Sequence, residues 1–161
     1  MKIESFDFSK NKETYIVAEL SANHNQDFKT AIDTIKAAKE IGCNAVKIQT
    51  YTPDTITIDC NKKDFLIKGT IWGGDSLYSL YKKAYTPWEW HKELFDVAKK
   101  TGITLFSTPF DKSSVDFLEK LNTPAYKIAS FEITDIPLIK YIAQKNKPII
   151  LSTGIAEKQD I

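Results

Sequence analysis

The feature that most constrains this chain is a rhythm. Short apolar runs at about Tyr15–Leu20, Ala45–Gln49, Thr104–Ser107, Ala125–Ile128 and Ile149–Leu151 alternate with stretches of helical periodicity. After the first run, Phe28, Ala31, Ile32, Ile35, Ala38 and Ile41 follow helical spacing. Asp27 reads as the N-cap of that helix and Gly42 as its C′ residue. Thr86, Pro87 and Glu89 predict a capping box with proline at N1, opening a helix that Gly102 ends. Asp111 is expected to cap a third helix. Thr134 or Asp135 starts a fourth, with Pro137 in its first turn. Strand, helix, strand in repetition implies a parallel sheet with crossover helices.

Two architectures fit that rhythm. A doubly wound sheet of five strands would be complete in 161 residues. A (β/α)₈ barrel needs about 250 residues, so this chain would hold five of its eight strands. Polar residues decide between them. Glu19, Gln49, Thr108, Ser130 with Glu132, and Ser152 stand at or just after the end of every run. Barrel enzymes gather their sites from several strands at that end, whereas a doubly wound fold binds at one switch point. The expected fold is therefore α/β, a TIM barrel truncated to about its first five units. Residues 1–161 would form the N-terminal portion of its catalytic domain. Residues 1–13 suit a short hairpin covering one end of the sheet. Residues 51–85 break the rhythm as a long insertion. Thr52-Pro53-Asp54 reads as a turn there, Gly73-Gly74 as another, and the tyrosines after them as an ordered aromatic cluster.

Charge excludes some partners. Lys and Arg number 22 against 21 Asp and Glu, so no global field favours nucleic acid or an anionic membrane. No apolar run approaches membrane-spanning length, and the first residues lack the apolar core of a signal. Cys43 and Cys60 show no CxxC spacing and read as free thiols of a cytoplasmic protein.

The chemistry starts from two lysines. Lys47 and Gln49 point to the face opposite Val46 and Ile48, in a sheet whose two faces should both be covered. A covered lysine is costly unless it is paired or reaches a ligand. Lys127 repeats the pattern on another strand. Together they suggest a clamp for a phosphate or carboxylate, aided by hydroxyls of Thr108, Ser130 and Ser152. The alternatives are lysines that snorkel to solvent, or one that forms an imine. Glu19 and Glu132 would act as general bases, bind sugar hydroxyls, or pair with the lysines. Asn23 and His24, in the exit loop of the first strand, join the candidate binding set. His91 is expected on a helix surface. The two histidines show no metal-ligand spacing, so no metal site is expected within this chain.

Five ordered motifs carry a family resemblance. Ala18-Glu19-Leu20-Ser21-Ala22-Asn23-His24-Asn25, Val46-Lys47-Ile48-Gln49-Thr50, Ser107-Thr108-Pro109-Phe110-Asp111, Tyr126-Lys127-Ile128-Ala129-Ser130-Phe131-Glu132 and Leu151-Ser152-Thr153-Gly154 resemble the sialic acid synthase family. Within it, Gly69-Thr70-Ile71-Trp72 and the stretch from Leu77 to His91 resemble the pseudaminic branch. The resemblance implies a barrel enzyme that condenses phosphoenolpyruvate with an N-acetylated amino-sugar aldehyde, for this branch 2,4-diacetamido-2,4,6-trideoxy-altrose. It implies that Lys47, Thr108, Lys127, Ser130 and Ser152 hold phosphoenolpyruvate, that Glu19 and Gln49 face the sugar, and that Glu132 takes a proton from water. It also implies a divalent metal, typically manganese. Family members carry its histidine ligands after the fifth strand, followed by a small antifreeze-protein-like domain, and this chain has neither. A homodimer is expected of the full-length parent. Alternatives are a neuraminate or legionaminate synthase with the same chemistry, an imine-forming aldolase barrel, and an inactive half-barrel.

Overall fold

The computed structural model describes residues 1–69 and 73–161. Thr70, Ile71 and Trp72 of the branch-specific motif lie outside the described residues. β1 (Lys2–Ile3) and β2 (Phe6–Asp7) make a small antiparallel hairpin. β3 (Val17–Glu19) leads into α1 (Phe28–Glu40), and β4 (Ala45–Thr50) follows. The long connection then holds α2 (Pro53–Ile56), α3 (Leu77–Ala84) and α4 (Trp88–Thr101). β5 (Thr104–Pro109), α5 (Lys112–Lys120), β6 (Tyr126–Ile128), α6 (Ile136–Ala143) and β7 (Ile149–Leu151) complete the series.

β3 to β7 form one parallel sheet whose spatial order is the chain order. A doubly wound sheet reverses its order at a switch point. This one never does, and its helices share one face. Ala31 and Ile35 of α1, with Leu94 and Ala98 of α4, pack on Val46, Ile48 and Leu105. Val115 and Leu118 of α5, with Leu138 and Ile142 of α6, pack on Tyr126 and Ile128. The opposite face is the concave side of a barrel arc. There Ile3 of the hairpin is buried with Ala45, Phe106 and Ala125, at the N-terminal ends of the strands. The hairpin thus plugs the floor of the arc and leaves the C-terminal ends for chemistry.

Local signals account for most helix boundaries. Asp27 accepts from the Lys29 N–H at 2.9 Å, and Asp111 from the Ser113 N–H at 2.8 Å. Asp135 accepts from the Leu138 N–H at 3.0 Å. Gly102 closes α4 at φ +74°, a left-handed position where glycine escapes the Cβ clash. Two expectations need correction. Thr86 does not cap α4; Pro87 occupies the N-cap position and supplies no side-chain bond. Thr52-Pro53-Asp54 opens a short helix rather than a simple turn, because Thr52 and Thr55 cap one another across it. Among the described residues no helix is long and apolar enough to cross a membrane.

β3 and β7 are the two edges of the sheet. Ile16 is 52% exposed and Leu151 41% exposed beside them. Unpaired edges flanked by apolar side chains recruit other strands. The chain is therefore expected to self-associate with rising concentration, read by sedimentation velocity. A monomer across the whole range, with a single cooperative melt, would contradict this.

Candidate active site

Alternation along the strands places the site. Ala45 and Phe106 belong to the concave floor, so Lys47, Gln49 and Thr108 rise on the same face toward the strand ends. Tyr126 and Ile128 face the helices, so Lys127 faces the concavity. Glu19 stands opposite Lys47 in the β3–β4 register. Its Oε1 accepts from Lys47 Nζ at 2.7 Å and from Ser21 Oγ at 2.9 Å. The lysine side chain is 9% exposed and the glutamate side chain 54%, so the ammonium is covered while the carboxylate meets open space. Burial pushes the Glu19 carboxyl up, but Lys47 and then Ser21 outweigh it and hold it below the usual range.

Lys127 Nζ donates to Ser152 Oγ at 2.5 Å and to the Ile128 carbonyl at 2.6 Å. Burial lowers its pKa, and the positive charge of Lys47 lowers it further. Each ammonium is held by a partner on its outer side, Lys47 by Glu19 of β3 and Lys127 by Ser152 after β7, with β5 and Thr108 between the two lysines. Ser130 opens a single 3₁₀ turn after β6, and its Cβ lies beside Gly154 in the loop after β7. Glu132 ends that turn and is buried. Two buried atoms here, Thr108 Oγ1 and Glu132 Oε2, have no hydrogen-bond partner among the described residues. Burial, with Asp135 adding and Lys127 opposing, pushes the Glu132 carboxyl up to about 7. That suits a group that exchanges protons near neutral pH.

The two histidines depart from expectation. His24 is expected among the binding residues, but its ring is fully buried. Its Nδ1 accepts from the Gln26 N–H at 3.1 Å, which leaves Nε2–H to donate to Thr86 Oγ1 at 3.3 Å. Trp90 meets the ring edge-on at 5.5 Å. Positive φ at Ser21, Asn25 and Gln26 turns the loop so that His24 points inward, while its neighbour Asn23 lines the cavity. His24 therefore ties the exit loop to the start of α4. His91, expected on the surface, is fully buried too. Its Nδ1–H donates to the Pro87 carbonyl at 3.0 Å, so Nε2 accepts from Thr50 Oγ1 at 2.8 Å. Thr50 in turn meets Ser107 Oγ at 2.6 Å. The spacing His91, Leu94, Ala98 marks the apolar stripe of α4 and could have revealed this.

Among the described residues no group of three or more His, Cys, Asp or Glu is placed to hold a metal ion. Both imidazoles are committed to protein partners. Neither ring is open to the divalent metal that the resemblance implies.

Beside Gln49 and Asn23 opens a cavity of about 360 Å³. It lies at the same end of the strands as the lysines, where barrel enzymes act.

Known proteins share this fold and much of this sequence. The chain is 49% identical to the pseudaminic acid synthase of Campylobacter jejuni over 154 residues, covering 96% of this chain and 45% of that protein. It is 52% identical to the pseudaminic acid synthase of Helicobacter pylori over 146 residues, covering 91% of this chain and 43% of that protein. The chain thus spans less than half the length of these curated relatives. The crystal structure of N-acetylneuraminic acid synthetase from Leptospira borgpetersenii, in complex with citrate, superposes with a TM-score of 0.80 at 27% identity. That match covers 93% of this chain and 48% of the other. The profile of the NeuB family matches residues 34–161, and with the five motifs carried on one barrel arc this chain belongs to the NeuB family.

Proposed function

We propose that this chain supplies the phosphoenolpyruvate-binding half of a pseudaminic acid synthase active site. The observation that carries the proposal is that Lys47 and Lys127 stand on the same concave face, near the C-terminal ends of the two strands that flank β5. Thr108, whose buried hydroxyl has no protein partner among the described residues, and Ser152 flank them. An anion with several oxygens satisfies such a set through charge-assisted hydrogen bonds.

In the proposed reaction, C3 of phosphoenolpyruvate attacks the aldehyde carbon of 2,4-diacetamido-2,4,6-trideoxy-altrose and forms the new C–C bond, while the carbonyl π bond opens and its oxygen takes up a proton to become a hydroxyl. The cation left at the enol carbon takes up water, whose proton passes to Glu132. The tetrahedral intermediate then loses phosphate by C–O cleavage. Glu19 holds Lys47 in place, and Gln49 faces the sugar.

Each charge-assisted hydrogen bond to an anion is worth roughly 1.5–3 kcal/mol. In the full-length protein, Lys127→Met and Lys47→Met are each expected to weaken phosphoenolpyruvate binding about 10- to 100-fold. Sugar binding should change little, and Lys62→Met, on the exposed insertion, should change neither. Calorimetric titration of the three variants with each ligand separately is the check. Unchanged phosphoenolpyruvate affinity in both site variants would remove the proposal.

A further inference from the structure

The cavity beside Gln49 has two unlike walls. Its volume falls in the range of small-ligand sites, about 300–1,000 Å³. Asn23, Asn25 and Gln49 give it an amide-rich side. Tyr51, Leu80, Tyr81 and Ala84 give it an apolar side. Three of those four come from α3, an element outside the regular alternation of strands and helices.

That wall is fixed in place. Ser76 accepts from the Ser79 N–H at 3.1 Å and caps α3. The Tyr78 hydroxyl donates to Asp54 Oδ1 at 3.0 Å. From the other side of the cavity, Gln26 Nε2 donates to the carbonyls of Lys83 at 3.0 Å and Tyr85 at 2.6 Å. Tyr81 meets Tyr51 edge-on at 5.6 Å, and Tyr51 meets Phe110 at 5.3 Å, so the wall continues onto the strand ends. Phe110 in turn stacks on Phe131 at 5.8 Å, the residue before Glu132, so the wall runs on to the reacting centre.

The lining chemistry narrows the ligand. Among the described residues Lys83 is its one charged lining residue, and that ammonium pairs with Asp75 at 2.8 Å. An anion would find no open counter-charge on these walls. Side-chain amides each offer a donor and an acceptor, the complement of an acetamido group. Leu80, Ala84 and the tyrosine rings are the complement of methyl groups.

We propose that the α3 wall selects the sugar: Leu80, Tyr81 and Ala84 cover the methyl-bearing acetamido and 6-deoxy substituents and disfavour a hexose with hydroxyls there. This rests on the synthase reading above and goes beyond it by naming what sets the specificity. A hydroxyl pressed on this wall would lose water without gaining a partner. A methyl covered by an apolar pocket is worth about 10- to 200-fold in discrimination.

The test titrates the full-length protein with three probes. They are 2,4-diacetamido-2,4,6-trideoxy-altrose, a 2-acetamido hexose with hydroxyls at C4 and C6, and phosphoenolpyruvate. The wild type should prefer the trideoxy sugar by at least about 10-fold, and Leu80→Asn should reduce that preference by about 10-fold. Phosphoenolpyruvate affinity should not move. Ala84→Leu, a helix-compatible change that fills the cavity, should weaken the trideoxy sugar by about 10-fold with the anion again unaffected. Equal affinity of the wild type for both sugars, or a preference that survives both substitutions, overturns the inference. Failure of the wild type to bind phosphoenolpyruvate would instead overturn the synthase reading, a separate result.

Discussion

Glu132→Gln is expected to lower turnover of the full-length protein by about 10²- to 10⁴-fold, the usual worth of a positioned general base. The same change should make the protein more stable above pH 7. Both effects come from one buried carboxyl group, one of whose oxygens has no hydrogen-bond partner among the described residues. Its pKa is raised from 4.5 to about 7 by burial first. Ionising it therefore costs more in the folded protein than in the unfolded chain. The stability carried by its neutral form is fully present below pH 4.5 and is lost as pH rises through 7. Discounted for partial solvent screening, the loss is about 1–2 kcal/mol. Glutamine keeps the shape and cannot ionise, so Glu132→Gln should escape that loss. Urea unfolding at pH 5 and pH 8, with assays at pH 8, reads both effects. A variant that keeps its turnover, or one no more stable than wild type at pH 8, would contradict this account of Glu132.

His91 is expected to act on stability in the opposite direction. Burial lowers its pKa from 6.5 to about 4. The unfolded chain thus binds the proton more readily than the folded one. The stability carried by the neutral ring is fully present above pH 6.5 and falls as pH drops toward 4. At 1.36 kcal/mol per pKa unit the loss reaches about 3 kcal/mol. A protonated ring must also break with Thr50, since Nε2 could no longer accept its hydroxyl. Glu132 titrates over an overlapping range with the opposite sign, so the cleanest comparison is made in Glu132→Gln. In that background His91→Gln should flatten the stability profile between pH 4 and 6.5. It should also cost about 1–3 kcal/mol at pH 7 by disturbing the Thr50 and Pro87 contacts. The slope that His24 adds has the same sign and should remain. An unchanged profile would mean that the ring of His91 carries no such penalty.

Much of this molecule was legible before its coordinates because the governing signals are local. Asp27, Asp111 and Asp135 cap the turns they begin, and the alternation in β4 put Lys47 and Gln49 on one face. The misreadings share another cause, which is partners distant in sequence. Thr86 has the sequence of a helix cap, yet its hydroxyl meets His24, 62 residues earlier. His91 meets Thr50, 41 residues earlier. Nothing local marks Thr50 and Ser107, although together with His91 they join β4, β5 and α4 in one buried network. The α3 wall was hidden for the same reason. A long insertion shows that it contains tyrosines, but not that Gln26 will fasten it across a cavity.

The floor plug has a consequence for how the chain is made. The strands of the arc are laid down in the order they are synthesised, and each pairs with the one just before it. Apart from the long connection between β4 and β5, growth of that sheet needs little waiting, since nearby contacts close small loops. The hairpin is different. Ile3 rests against Phe106 and Ala125, and the Glu4 carboxylate takes the hydroxyl of Thr104, a hundred residues downstream. None of those partners has been made when the hairpin leaves the ribosome. The hairpin must stay unseated until the strands as far as Ala125 have emerged. A nascent protein paused before β5 would carry Ile3 and its neighbours in the open, where a chaperone could hold them.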